Sequence, residues 1–515
     1  MRRSPERLPG RAGAVRLRLQ GCEHASGRVR IYGRNRVAAT GGTGVMSRRA
    51  GGAGCGPRRR AATTRTAARV RGAAAGDMGG YTGYWWEDPA RLVLMFILPL
   101  YGMLSLSLLG DPKAIARVYF DGYYAFVGAL FLMVVMAAAW LATAEARTRR
   151  GPPPAAVELS PRVLDFVFAL ALFGYVLLLS GILMHPALLV AFVRGDANAY
   201  DMLELKGRIT GLSTLTQATA PFVVLYFYVF RTPVKGLNRY KIYFAVLAVL
   251  TLMRSFIFAE RLALIEMVMP LALMVVRFRL GGRYSRLLTL GPYAAIPLLF
   301  GLFIANEYNR SWEAYYVNIY DNLFDFALER LGLYYSTSLN NGAGILSVLG
   351  WDHGHPMFTF DWLLRFPLIG ATLQPWLDSG DSINLFLNGY ADPEFNNPSG
   401  IFVHFYEWGW FGLLDALVLG WAVGRSYAGW RSGNGFWCCI HAVLYVSVME
   451  VMRTPNLFSG RNFVPVVLLI AIFQWFAKAP ARAAPAAGGG ADGDGNRRGV
   501  ARGNRAADVD PVLSR

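Results

Sequence analysis

Repeated blocks of apolar residues, each about as long as a bilayer's hydrocarbon layer is thick, constrain this chain more than any other feature. They run near 92 to 110, 120 to 143, 163 to 184, 211 to 230, 240 to 257, 261 to 280, 288 to 305, 401 to 424, 436 to 452 and 462 to 477. Lipid offers no water to backbone N–H and C=O groups, so each block must close its own hydrogen bonds as a helix. The expected fold class is therefore all-α: a polytopic membrane protein with about ten transmembrane helices. Composition agrees, since 54% of the 515 residues are hydrophobic and only 17% are charged.

Orientation follows from the short loops, because Lys and Arg accumulate on the cytoplasmic side. Every second loop is basic: Arg147, Arg149 and Arg150; Arg231, Lys235, Arg239 and Lys241; Arg277, Arg279, Arg283 and Arg286; Arg425 and Arg431. Both termini are then expected inside. Residues 306 to 400, with only Arg310, Arg330 and Arg365 as cations, become one large external loop. Within it LFDFALERLGLYY and FDWLLRFPLIG are amphipathic at helical spacing and should lie partly on the membrane surface. A smaller external loop, 185 to 210, contains AYDMLELKGR and is expected to hold a short helix.

The net charge of +19 does not point to nucleic acid. Residues 1 to 78 hold 18 Arg against Glu6, Glu23 and Asp77, which puts +15 in that segment and leaves the body near +4. The segment is aperiodic Gly, Ala and Arg and reads as a disordered basic tail, with Met46 and Met78 as candidate starts. The membrane domain is expected over 79 to 478, and the low-complexity stretch 479 to 515 as a cytoplasmic tail. Cys22 and Cys55 lie in the basic tail and Cys438 and Cys439 are adjacent in an apolar block, so no disulfide or cysteine-based metal site is expected.

The segment MRSFIFAERLALIEMV, residues 253 to 268, places Arg254, Glu260, Arg261 and Glu266 in otherwise apolar sequence. No glycine falls between 240 and 280, so a turn at SFIFAE lacks the usual signal. A single long helix would set the basic loops near 235 and 283 on opposite sides, so a tight external hairpin is expected. Arg254, Glu260 and Arg261 then share the outer edge with Glu307 and Arg310 of ANEYNRSW and with Arg453 and Arg461 of EVMRTPNLFSGRNF. Charge near hydrocarbon is costly. Snorkelling to headgroups accounts for single arginines, but five on the external side suggest an anion-binding cluster. Glu266, more than a turn inside its span, must pair, protonate or face a polar cavity, and Glu450 is spaced to pair with Arg453 on one helix face.

Taken in order along the chain, Arg254 with the Glu260-Arg261 pair, NEYNRSW, the long loop, NPSGIFVHFYEWGWFGLL and RTPNLFSGRNFVP resemble the bacterial oligosaccharide repeat-unit polymerases, or O-antigen polymerases. The resemblance covers about 88 to 478. It implies a multi-pass enzyme of the bacterial inner membrane with its long loop in the periplasm. Its substrates would be undecaprenyl-pyrophosphate-linked oligosaccharides, one lipid-linked chain being transferred to the terminal sugar of another. It implies membrane lipids, a chain-length regulator and a flippase as partners, and no cofactor.

That reaction builds charge on a departing pyrophosphate, which Arg254, Arg261, Arg310, Arg453 and Arg461 are suited to bind, because a guanidinium grips phosphate oxygens in pairs. The acceptor hydroxyl needs a base, for which Glu307 and His404 are the candidates; their alternatives are a pair with Arg310 and a histidine bonded to a neighbouring helix. Trp312, Tyr315, Tyr316, Trp351, Trp362 and Trp376 offer faces for sugars or an interfacial belt. Asp321 with Asp325, Asp378 with Asp381, and His353 with His355 are weaker metal candidates, and no metal site is expected. An O-antigen ligase, a flippase or other transporter, and a receptor or scaffold are the competing readings.

Overall fold

The computed structural model describes residues 83–110, 115–148, 157–194, 202, 204–206, 212–231, 236–258, 260–280, 285–351, 355–364, 366, 369–370, 372–373, 380–392 and 395–478. Both expected tails, with Cys22 and Cys55, lie outside these residues, as does most of AYDMLELKGR.

The described chain is all-α. Four helices are long and apolar enough to cross a membrane: α1 (Pro89–Leu109), α2 (Gly122–Thr148), α3 (Arg162–Met184) and α5 (Arg239–Ile257). They mark the chain as a membrane protein and coincide with the first, second, third and fifth apolar blocks. The other blocks form helices that are shorter or less apolar. The fourth is a 3-10 turn, Ser213–Ala218, leading into α4 (Thr219–Val229). The sixth is α6 (Arg261–Val275), and the seventh is α7 (Gly291–Glu307). Beyond the long connecting segment come α11 (Gly435–Met449) and α12 (Gly460–Trp475). A two-residue antiparallel pairing of Glu158 and Leu159 with Lys478 and Ala477 is the sheet structure of the described residues.

The hairpin at residues 253 to 268 is present. Helix α5 closes with the Phe258 N–H on the Arg254 carbonyl at 3.1 Å, and α6 starts at Arg261. Side-chain caps mark other starts: Asp88 accepts from Ala90 at α1, Asn238 from Lys241 at α5, and Asn434 from Trp437 at α11.

The 306 to 400 segment holds a 26-residue helix, α8 (Leu323–Val348), which contains the amphipathic LFDFALERLGLYY. Asn322 caps it, accepting from Asp325. Its second half is buried although polar: Asn340 donates to the Arg117 carbonyl and accepts from the Tyr119 and Phe120 N–H groups, and Ser338 donates to the Arg453 carbonyl. Of FDWLLRFPLIG, Asp361–Leu364 forms a short α-helix.

The eighth block departs from expectation. It is not one helix over 401 to 424 but two, α9 (Phe402–Trp408) and α10 (Gly412–Arg431). Between them Gly409 adopts φ +54°, a left-handed conformation that glycine reaches without steric penalty. The chain folds so closely here that a Cβ on Gly412 would sit 2.6 Å from the His404 carbonyl. This break sets the geometry of the polar centre described below.

Helix α10 packs against α2 in parallel. Gly420 meets Val135 and Ala138, Gly424 meets Ala139, and the Thr143 hydroxyl reaches the Gly424 carbonyl at 3.3 Å. Small residues four apart let the two backbones approach, the main source of attraction between helices in lipid. A Cβ at Gly424 would lie 2.3 Å from the Ala139 carbonyl oxygen. Gly424→Leu is expected to destabilise by on the order of 1–3 kcal/mol, measured as a lower melting temperature in detergent.

Helix ends with basic loops meet one another. Arg279 donates to the carbonyls of Phe230 (2.7 Å) and Arg231 (3.1 Å). Trp85 and Trp86 donate to the carbonyls of Thr289 and Leu288. The acidic and basic residues of the hairpin lie at the other end of α5, about 22 Å along the helix from Arg239.

Candidate functional site

The hairpin charges form the centre of a connected ionic network. At the end of α5, the buried Arg254 guanidinium donates to Glu260 Oε2 at 2.7 Å and to Thr216 Oγ1 at 2.8 Å. Glu260, just before α6, also pairs with Lys206 and lies 3.8 Å from Arg461. Arg461, in the first turn of α12, reaches both oxygens of the buried Glu266 at 3.3 and 3.4 Å. Glu266 therefore pairs, as its position inside a span requires.

Arg261 turns the other way, to Glu307 at the end of α7. Glu307 is 1% exposed; its second oxygen takes Arg330 Nε at 2.8 Å and the Ser311 hydroxyl at 2.6 Å. The Arg261 guanidinium lies over the rings of Phe303 (4.1 Å) and Tyr334 (5.2 Å). Tyr334 joins the third part of the network: Arg453 lies 4.8 Å from its ring centre, donates to its hydroxyl at 2.6 Å, and pairs with Glu450 at 3.0 Å.

Among the described residues, Lys206, Arg254, Arg261, Arg330, Arg453 and Arg461 pair with Glu260, Glu266, Glu307 and Glu450 in this network. Guanidinium groups bind paired oxygens, so a cation-rich cluster of this kind is suited to an anionic ligand such as a phosphate. Most members are buried, whereas the Arg461 side chain is 32% exposed and marks the entrance. Three residues past Arg453, the buried Asn456 Nδ2 has no hydrogen-bond partner among the described residues, an amide donor left for a ligand.

A second polar centre lies where α9 breaks into α10. His404 Nδ1 meets Asp415 Oδ2 at 2.8 Å, and its ring stacks on Phe131 at 5.6 Å. Glu407, fully buried, accepts the backbone N–H groups of Phe358 and Thr359 and the Thr359 hydroxyl (2.7 Å). The same hydroxyl lies 3.2 Å from Asp415 and accepts the Trp408 indole N–H at 3.0 Å. Donor atoms of His404, Glu407 and Asp415 lie within 4.8 Å of one another, a metal-ligand grouping among the described residues.

Two short links join the centres. Asp361, two residues past Thr359, accepts the Gly460 N–H at 3.0 Å, next to Arg461. The His404 ring lies 5.4 Å from that of Phe458, three residues before Arg461, a span of at most about 11 Å of chain. Tyr123, Trp351, Trp408, Gly409, Trp410 and Phe411 line an open cleft of about 460 Å³ beside the second centre.

Four of the five expected arginines, Arg254, Arg261, Arg453 and Arg461, thus belong to one network; the Arg310 side chain lies outside the described residues. Glu307 is also there, paired with Arg261 and Arg330. His404 is in the second centre and is bonded to the neighbouring helix through Asp415. Sequence reasoning missed Lys206, Thr216, Arg330, Tyr334 and the roles of Thr359 and Asp415; the signal for Asp415 was the glycine spacing of WGWFG. Trp362 stacks on Phe463 at 4.0 Å and Trp312 packs on Phe326 at 5.3 Å, so both are engaged within the protein. Asp325 serves the α8 cap with Asn322, Cys438 and Cys439 are buried free thiols, and His353, Trp376 and Asp378 lie outside the described residues. Compared with protein-family models, with curated proteins and with solved structures, the chain matches none.

Proposed function

We propose that this protein is a membrane glycosyltransferase that polymerises oligosaccharide repeat units carried on undecaprenyl pyrophosphate, for O-antigen, capsule or exopolysaccharide. The observation that carries this reading is the network of arginines gathered from separate segments of the chain. A lipid pyrophosphate leaving group gains negative charge as the sugar departs, and preorganised guanidinium groups stabilise that charge more in the transition state than before it. With ten spans and the termini inside, the network faces the periplasm of the inner membrane, where lipid-linked glycans are joined.

The other parts suit the acceptor. Glu307 is held by two guanidinium groups and a serine hydroxyl, so its role is to position arginines and not to take a proton. The acceptor hydroxyl is handled at the His404 centre, within a short chain distance of Arg461. The aromatic cleft joined to that centre through Trp408 offers flat apolar faces for the acceptor sugar. A transporter would place its charged groups near mid-membrane at broken helices of two repeated halves; here they gather at one end of the helices.

The test is reconstitution with a labelled lipid-linked repeat unit. The expected result is a ladder of longer lipid-linked chains; lipid flipping without transfer would replace the enzyme reading with a transporter. Attachment of whole chains to a different acceptor would make the protein a ligase. Topology is tested separately by thiol labelling of a variant lacking the native cysteines. Asp321→Cys is expected to react with a membrane-impermeant maleimide from outside the membrane, and Ser285→Cys only after permeabilisation. The reverse pattern would put the arginine network on the wrong side for this substrate.

A further inference from the structure

The centre at the α9–α10 break is poor in positive charge. The four carboxylates of the arginine network each meet a guanidinium or ammonium group. Glu407 and Asp415 have no Lys or Arg partner among the described residues, and the His404 imidazole is the nearest basic group. The Phe358 and Thr359 N–H groups offset part of the Glu407 charge but bring no net charge. One hydroxyl proton, that of Thr359, lies between two carboxylate oxygens, 2.7 Å from Glu407 and 3.2 Å from Asp415. A fully buried Glu407 and a partly buried Asp415 around one hydroxyl call for a further cation at this point.

The geometry also has the form of a ligand set. His404 and Glu407 are three residues apart on α9, which puts them on one helix face. The turn at Gly409 brings Asp415 of α10 to the same point, and the three donor atoms lie within 4.8 Å of one another. Modest side-chain rotation would bring them to the roughly 2.0–2.2 Å bonds of a first-row divalent ion. One imidazole with carboxylate oxygens suits Zn2+ or Mn2+ rather than Ca2+, which favours oxygen ligands alone.

We infer that His404, Glu407 and Asp415 bind a divalent cation of the Zn2+ or Mn2+ class, with the Thr359 hydroxyl beside it. This goes beyond the glycosyltransferase reading and does not rest on it. Where both hold, His404 is a ligand, and the cation, not the imidazole, polarises the acceptor hydroxyl.

The test uses the full chain in detergent with no substrate. Protein stripped with EDTA and re-equilibrated with Zn2+ or Mn2+ is analysed for metal content and for melting temperature. Wild type should retain about one ion per chain and melt several degrees higher with metal than without. Asp415→Asn, which keeps size and hydrogen bonding at the site, should lose at least tenfold in metal affinity and most of the melting shift. His404→Gln should do the same, whereas Asp321→Asn, at an exposed position, should behave as wild type. Wild-type protein that holds neither ion, or metal retained equally by Asp415→Asn and His404→Gln, overturns the inference. In the first case a proton on the centre supplies the missing charge. Wild-type protein that binds the ion here but gives no sugar transfer in the reconstitution described above would instead count against the function proposed there.

Discussion

Arg461→Lys is expected to lower sugar transfer by roughly tenfold to a hundredfold with little change in melting temperature, and Arg461→Ala by roughly 10²–10³-fold with a lower melting temperature, because alanine leaves the buried Glu266 without its cation. Arg461 is the most exposed cation of the network and the one that spans Glu260 and Glu266. Lysine keeps the charge but cannot hold two oxygens of a phosphate at once. The loss should fall mainly on the rate of transfer, because the interaction strengthens as the sugar leaves. Equal rates for wild type and Arg461→Ala would remove the pyrophosphate from this entrance. Arg254→Lys should behave differently: Arg254 is buried and holds Glu260 and Thr216, so stability and activity should fall together.

The second large effect is on stability. Glu307→Gln should cost on the order of 3–5 kcal/mol, because it leaves Arg261 and Arg330 without the carboxylate between them. The expected readout is a large drop in melting temperature and in yield of folded protein. Replacing Arg330 by Gln as well should restore part of the loss, since Arg261 retains its contacts with Phe303 and Tyr334. A Glu307→Gln protein that melts like wild type but is inactive would return the role of general base to Glu307.

What the sequence revealed follows the range of the interactions. The hairpin at SFIFAE was legible without a glycine because the charge pattern of the loops on either side leaves no other path. The Glu450–Arg453 pair was legible as a three-residue spacing, although it forms in the turn after α11 and not on a helix face as expected. That Glu266 needs a partner was legible from the cost of a carboxylate in a span, but its partner Arg461 lies 195 residues away. Periodicity carries no record of such distances, and the same limit hid Lys206, Arg330 and Tyr334. The eighth block was misread as one helix because hydropathy averages over Gly409, whose positive φ both breaks the helix and brings Asp415 onto His404. Close helix packing through Gly420 and Gly424 was written locally, in small residues four apart, and became meaningful only with Val135, Ala138 and Ala139 opposite.

The most direct measurement of the central claim is 31P NMR of geranyl pyrophosphate, a short lipid pyrophosphate, titrated with purified protein in detergent. Wild type should shift or broaden both phosphorus resonances at low protein concentration, with Arg461→Lys and Arg261→Lys requiring at least tenfold more protein. Resonances unmoved by wild type, or moved equally by the two variants, would contradict a diphosphate held in the arginine network.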